Sequence, residues 1–440
     1  MQQQPRLPLW FLVMNWALIL AAFATGIYLG RSRNGQLAEP QRSALEVVYA
    51  EVLRSHIQPP DEHELLERAI AGMVDGLDRY SRYIPPADVP VYDEASSGAY
   101  EGIGAVMTPL GGEVVVHFPF VGSPAEAAGL RPGDAILAVD GEALADDDAR
   151  REVASRIRGE AGTTVTLTVR SGEERREVEV SRGSVQRACV KWSHFVDPEQ
   201  GLGYVYLSDF HPTASAQLFD AIRALQAERP LRGLILDLRY DGGGSLDQCL
   251  DIARGFLQQG VIATQYRRAG DDEVYEAAPG AAEFPDLPLV VLVNEQSASA
   301  SEVLSGALQD HDRAAIVGAR THGKGYVNTI YSWKNRDFKL KLTTGSYRTP
   351  NGRNIERNQA TDGTPADKDE GGIAPDVEAA VSNEDSARLY RLLHEVEVPA
   401  VYLEEFRALA AQFDLEVSGP PAVAEDPQLA AAVAALLERL

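Results

Sequence analysis

The 440-residue sequence predicts an α/β fold (mixed α+β) of several domains, and three observations predict it. From Gly203 onward, short apolar runs alternate with helical patterns, which indicates a sheet with at least partly parallel strands. Residues 102–180 read instead as a compact β-rich module, with alternation over 163–169 and Gly- and Pro-containing turns. Both ends read as helix: the region before Pro85, and residues 381–440.

In chain order, residues 7–30 hold no charged residue and are long enough to span a bilayer. Arg6 precedes them and Arg31 and Arg33 follow, so flanking charge does not fix an orientation. Ala22-Phe23-Ala24 also suits signal cleavage; an uncleaved anchor and a cleaved signal peptide both export the remainder of the chain. Leu45, Val48, Tyr49 and Val52 stripe one helix; Leu65, Leu66, Ile70, Met73 and Leu77 stripe a second, capped by Asp61 and stopped by Pro85 and Pro86. In the β-rich module, residues 114–116, 135–139 and 163–169 read as strands, and 124–128 and 150–157 as helices. Beyond it, 204–207, 233–238, 289–293, 314–317 and 338–342 read as strands, with helices over 215–226, 245–258 and 299–310. Residues 358–371 read as a polar loop. The expected domains are an N-terminal signal or anchor over 1–35, a helical region over 36–98, the β-rich module over 99–183, an α/β core over 184–380 and a helical tail over 381–440.

Composition narrows the function. A hydrophobic fraction of 45% suits a globular body, and a net charge of -24 argues against nucleic acid, for which a basic footprint is needed. The sequence has no Cys-x-x-Cys or His-Glu-x-x-His pattern, so neither a metal nor a cofactor is expected. Cys189 and Cys249 permit a disulfide, but Cys249 lies in an apolar helical pattern and reads as a buried free thiol.

Chemistry concentrates in two turns. Ser299 lies in the middle of Ser297-Ala298-Ser299-Ala300-Ser301, just past the apolar run 289–293. Lys324 lies between Gly323 and Gly325, past the run 314–317. A serine hydroxyl attacks only when a base takes its proton, and lysine is that base only when neutral. Half-neutrality near pH 7 requires a shift of about 3 pK units, or roughly 4 kcal/mol from burial or positive neighbours. A second reading stands beside this one: Ser299 and Glu302 spell the capping box Ser-x-x-Glu. Gly318 to Lys324 also matches the first seven positions of a phosphate-binding loop, but Gly325 stands where magnesium needs Ser or Thr. An oxyanion would be held by the Ala300 N–H at a helix start, with Gly242 or Gly243 of the Gly242-Gly243-Gly244 turn. His322, although near Lys324, reads as a loop residue.

The block 291–302, then Ala307-Leu308-Gln309-Asp310, then Gly323-Lys324-Gly325, resembles the carboxy-terminal processing peptidases, or tail-specific proteases. Residues 77–84, 236–244, 349–353 and 372–376 resemble further landmarks of that family in the same order. The resemblance implies a serine endopeptidase with Ser299 as nucleophile and Lys324, twenty-five residues on, as general base. The family's glutamine four residues after the lysine is Asn328 here. Gly122-Ser123-Pro124-Ala125, Ala128-Gly129-Leu130-Arg131-Pro132-Gly133-Asp134 and Val139-Asp140-Gly141 resemble a PDZ domain. Its carboxylate loop would be Gly102-Ile103-Gly104-Ala105. The implied partners are protein substrates with free C-terminal tails, with an adaptor protein and self-association left open. The implied place is the periplasm, with the body tethered to the inner membrane or secreted after cleavage. The alternatives are a catalytically silent PDZ scaffold that binds tails, or a nucleotide hydrolase built on the Lys324 loop.

Overall fold

The computed structural model describes residues 37–144, 150–268, 270, 272–357, 371–394, 398–413, 419 and 421–440. The apolar N-terminal stretch and most of the expected 358–371 loop lie outside these residues. Among the described residues no helix is long and apolar enough to cross a membrane. The chain divides into two compact units, residues 1–77 and 78–440.

In the first unit, α1 (Glu39–Ser55) and α2 (Glu62–Asp75) are the two expected helices. Asp61 caps α2 by accepting the Glu64 N–H at 2.9 Å. The helix does not run to the proline pair. It ends at Asp75 with Gly76 as its C-cap, which frees the next residues to extend.

The second unit opens with β1 (Arg82–Ile84), a 3₁₀ turn (Pro86–Asp88), α3 (Val89–Ser97) and β2 (Ala99–Gly102). The β-rich module follows: β3 (Ala105–Leu110), β4 (Glu113–Pro119), α4 (Pro124–Ala127), β5 (Ala135–Val139), β6 (Glu142–Ala143), α5 (Arg150–Ile157), β7 (Thr164–Ser171) and β8 (Glu174–Ser181). Its sheet runs β3-β4-β5-β7-β8, so β3 is an edge strand. Leu130, Val116, Val153, Val165 and Leu167 fill the space beneath the sheet. β9 (Gly183–Gln186) pairs with β2 and closes the module at its base.

The core comprises β10 (Val190–Asp197), β11 (Leu202–Leu207), α6 (Ala214–Glu228), β12 (Gly233–Asp237), α7 (Leu246–Phe256), β13 (Gly260–Arg267), β14 (Glu273–Ala277), β15 (Leu289–Val293), α8 (Ala300–Asp310), β16 (Ala314–Gly318), β17 (Tyr326–Ser332), β18 (Lys339–Arg348) and β19 (Val377–Glu378). The first sheet has the order β10-β11-β12-β15-β16-β19 and is parallel except for β10. Every residue of β11, β12 and β15 is buried, as strands covered on both faces must be. Side chains of α6, α7 and α8 cover one face. The second sheet, β1-β18-β13-β14 with β17 also on β18, is antiparallel.

The C-terminal helices are α9 (Asn383–His394), α10 (Leu403–Phe413) and α11 (Pro427–Leu437). The expected tail serves two regions. Tyr402, Phe406 and Leu409 pack on Val115, Phe118 and Ala135 of the β-rich module. Leu429, Ala432 and Leu436 cover the other face of the parallel sheet against Tyr204, Ile235 and Val290. Cys189 and Cys249 are both buried and free.

Candidate active site

Ser299 stands at the junction of β15 and α8, where a fully buried strand gives way to a helix start. Its backbone has φ 56° and ψ -110°. For a residue with a Cβ this costs about 1–3 kcal/mol and persists only where its surroundings enforce it. They do so here. Asp241 O accepts the Ala298 N–H at 2.9 Å and the Ser301 hydroxyl at 3.0 Å. Glu302 Oε2 accepts the Ser299 N–H at 2.8 Å. Ser297 donates to Leu238 O at 2.8 Å and accepts the Asn294 N–H. Ser297 and Ser301 are therefore fully buried tethers, whereas Ser299 lines an open cleft.

That cleft, of about 610 Å³, also receives Gly242, Gly243, Lys324, Asn328 and Lys341. The structure thus brings five of the sequence-expected residues together, with Ala300 directly behind. Gly243 has φ +93°, and a Cβ there would meet Ala298 O at 2.6 Å, Ala300 N at 2.8 Å and Ser299 Cβ at 2.9 Å. Only glycine lets this loop lie against the serine turn. The two sides differ in their donors. The Ala300 N–H has no partner among the described residues, as befits the first position of a helix. The Gly243 N–H is already given to Asp241 Oδ1 at 2.8 Å.

Lys324 lies between β16 and β17, in a turn whose Gly323, Lys324 and Gly325 amides are taken by carboxylates. Glu302 accepts the Gly323 N–H at 2.6 Å and the Lys324 N–H at 2.8 Å. Glu356 accepts the Gly325 N–H at 2.8 Å. A Cβ at Gly325 would stand 2.2 Å from Glu356 N, so the glycine is a packing requirement. These amides are not free for phosphate, and a strand rather than a helix follows, which overturns the phosphate-loop reading. The Lys324 ammonium has no hydrogen-bond or ion-pair partner among the described residues. Burial first, and then the neighbouring Lys341, push its pKa down from the usual lysine value, while Glu302 and Glu356 oppose this.

Glu302 is the residue whose scope sequence reasoning missed. It is fully buried and also accepts the Thr321 hydroxyl at 2.6 Å. One carboxylate therefore holds the serine turn and the lysine turn together through four donors. Burial pushes its carboxyl up, and those hydrogen bonds pull against the shift. The capping-box spacing Ser299-x-x-Glu302 was the available signal, but it pointed to a local helix start and not to a link twenty-two residues away. Asp310 likewise does more than end α8: it accepts the Asn351 N–H at 2.8 Å and pairs with Arg353.

Behind the site lies a buried ionic knot. Arg239 reaches Asp237 Oδ2 and Asp426 Oδ2, each at 2.7 Å, and Gln428 Oε1 at 3.2 Å, with all four residues buried. Tyr204 donates to Asp237 at 2.7 Å. The knot ties the strand before the Gly242 loop to the start of α11.

The expected carboxylate loop, Gly102-Ile103-Gly104-Ala105, lines a different cleft of about 700 Å³, between Met107 of the edge strand β3 and Ala154 and Ile157. Ile103 itself is only 2% exposed and faces the module's core, so it offers backbone rather than an apolar wall. Asn328 donates through Nδ2 to Thr343 Oγ1 at 3.1 Å, and no hydrogen bond joins it to Lys324 among the described residues.

The chain is similar to known proteins over both its core and its β-rich module. Residues 201–379 match the model of peptidase family S41, and residues 121–171 match a PDZ domain. A probable CtpA-like serine protease of Staphylococcus aureus (strain COL) is 35% identical over 314 residues, 71% of this chain. The chain spans 62% of that relative's length. The photosystem II D1 C-terminal processing protease is 28% identical in a superposition covering 82% of this chain and 98% of that one, with a TM-score of 0.44. The carboxy-terminal-processing protease of Bartonella bacilliformis is 32% identical over 350 residues, 76% of this chain and 79% of its own length. With a PDZ module set before its core, the chain belongs to peptidase family S41, among the relatives of the carboxy-terminal-processing proteases.

Proposed function

We propose that the protein is a serine endopeptidase that cleaves exported proteins after its PDZ domain has captured their C-terminal tails. The observation that supports this best is the pair of turns clamped by Glu302: Ser299 and Lys324 open onto one cleft, and the lysine ammonium has no hydrogen-bond or ion-pair partner among the described residues. In the reaction the Ser299 hydroxyl oxygen attacks the scissile carbonyl carbon while Lys324 Nζ takes its proton. The oxyanion faces the Ala300 N–H. A second donor from Gly243 requires Asp241 to release that amide; Gly242, whose N–H has no partner among the described residues, is the alternative. The lysine then gives its proton to the leaving amine. Water, deprotonated by the same amine, hydrolyses the acyl-enzyme. Asn328, which lines the same cleft, is the residue we assign to orient the lysine once substrate is bound.

Tail capture is supported by the free edge of β3 beside the Gly102-Ile103-Gly104-Ala105 loop. A tail adds to that edge as a strand and its carboxylate meets loop amides. Export is supported by the charge-free residues 7–30. Casein turnover and labelling by a fluorophosphonate test the catalytic reading: Ser299→Ala and Lys324→Ala should both be silent and folded. Labelling of neither variant nor wild type would leave a tail-binding scaffold. A peptide and its C-terminally amidated twin test the PDZ reading, which fails if both bind equally well.

A further inference from the structure

A short turn far upstream in the chain reaches the catalytic pair. Asp78 Oδ1 accepts the N–H groups of Tyr80 and Ser81 at 2.7 and 2.8 Å, and Oδ2 accepts the Ser81 hydroxyl at 2.7 Å. The turn then enters β1, which pairs with β18 through Arg82 and Lys341. Thr343 of β18 donates its N–H to Ser81 Oγ at 3.0 Å and its hydroxyl to Asp78 Oδ1 at 3.0 Å. That same hydroxyl accepts Asn328 Nδ2 at 3.1 Å. Tyr80 turns its ring to Lys324, whose Nζ lies 5.4 Å from the ring centroid, and meets Tyr326 edge-on at 6.1 Å.

We propose that turn 78–81 is a positioning element for the catalytic base, in which Tyr80 sets the environment of Lys324 and Asp78 sets, through Thr343, the orientation of the Asn328 amide. The inference rests on Lys324 being the base.

At Asn328, hydrogen-bond polarity decides. An ionised carboxylate only accepts, so the Thr343 hydroxyl must spend its single proton on Asp78. Its oxygen is then an acceptor for Asn328, which must present Nδ2 and not Oδ1. The amide oxygen is left as the free end, on a residue that shares the cleft with Lys324. That oxygen can accept a lysine N–H and hold the amine without protonating it. Burial works to raise the Asp78 carboxyl, but its hydrogen bonds with Ser81, Tyr80 and Thr343 hold it below the ordinary carboxylate value. The polarity is therefore fixed across the working pH range.

At Tyr80, two effects oppose each other. Its apolar bulk keeps water from the lysine and favours the neutral amine. Its ring face favours the ammonium. The charged groups facing Lys324 are Lys341 of β18 and Arg79 of the turn on one side, and Glu302 of α8 and Glu356 on the other. Arg79 is itself held by Glu356 at 3.3 Å. Tyr80 is the neutral wall among these charges, and the Arg79 guanidinium also lies over its ring, 4.6 Å from the centroid.

The experiment uses the full chain, a fluorogenic peptide and complete pH profiles of kcat and KM. Thr343→Val should lower kcat about tenfold with KM within twofold, and Thr343→Ser should recover most of the loss, because it keeps the hydroxyl. Tyr80→Leu keeps the site dry but removes the ring face, so the acid limb should move down by about half a pH unit. Tyr80→Ala admits water, so the limb should move up. The inference is overturned if Thr343→Val keeps its kcat, if Thr343→Ser is as poor as Thr343→Val, or if neither Tyr80 variant moves the limb. Lys324→Ala is measured beside them. An active Lys324→Ala removes the base assignment itself, a result separate from any of these.

Discussion

The two sheets of the core hold the two halves of the site in different ways. The parallel sheet carries Ser299 at the end of β15, and β15 and its neighbours β11 and β12 are buried at every position. The antiparallel sheet carries Asn328 on β17 and Lys341 on β18, and most positions of these strands are half-buried or exposed. Ser299 is thus placed by a close-packed interior that has no room to move. The surroundings of Lys324 are placed by a less buried layer, held by hydrogen bonds between hydroxyls, amides and carboxylates. Damage to the first sheet should appear as lost stability, and damage to the second as altered catalysis in a folded protein.

The largest effect is expected where the parallel sheet is knotted. Arg239→Met leaves the Asp237 and Asp426 carboxylates buried without their cation and should cost about 3–5 kcal/mol, read in a denaturant melt. A loss below about 1 kcal/mol would mean that the knot does not anchor this sheet. Lys324→Arg tests the other side: arginine stays charged, so activity should fall by about a thousandfold or more while the melt barely changes. In wild type the rate should climb as pH rises, because the neutral amine is the active form and its pKa is depressed below the usual lysine value by burial and Lys341. A flat profile would break that link. Glu302→Gln joins the two regions, so it should do both: a drop in kcat of about a hundredfold and a loss of about 1–3 kcal/mol from mismatched buried donors. An effect on only one readout would place Glu302 in one region alone. The smallest change is expected at the exposed end of the β17–β18 hairpin, where Lys334→Ser should alter stability by about 0.5 kcal/mol or less and leave kcat unchanged.

The parallel strands were legible because their burial on both faces writes a continuous apolar run, as in Leu289-Val290-Val291-Leu292-Val293. β13, β14 and β10 were not legible as strands, because Thr264, Arg267, Glu273, Lys191 and His194 interrupt the pattern at half-buried or exposed positions. Ser299 and Lys324 could be read from short local strings. Their surroundings could not. Glu302 reads as a helix cap until the fold brings residues 321–324 to its carboxylate.

What the sequence determined by itself was local: which runs become strands, where glycine permits a close turn, and which serine and lysine have the right neighbours. Tertiary structure alone decided the rest. It placed Asp78 within 3.0 Å of Thr343, 265 residues away, and sent α10 and α11 to different regions of the second unit. It also left the lysine without an ion-pair partner among the described residues while giving its turn two carboxylates. The reason is physical. A propensity or a hydrophobic period reaches only a few residues along the chain, whereas burial, hydrogen-bond polarity and the pKa of an amine depend on whatever the fold brings within a few ångströms.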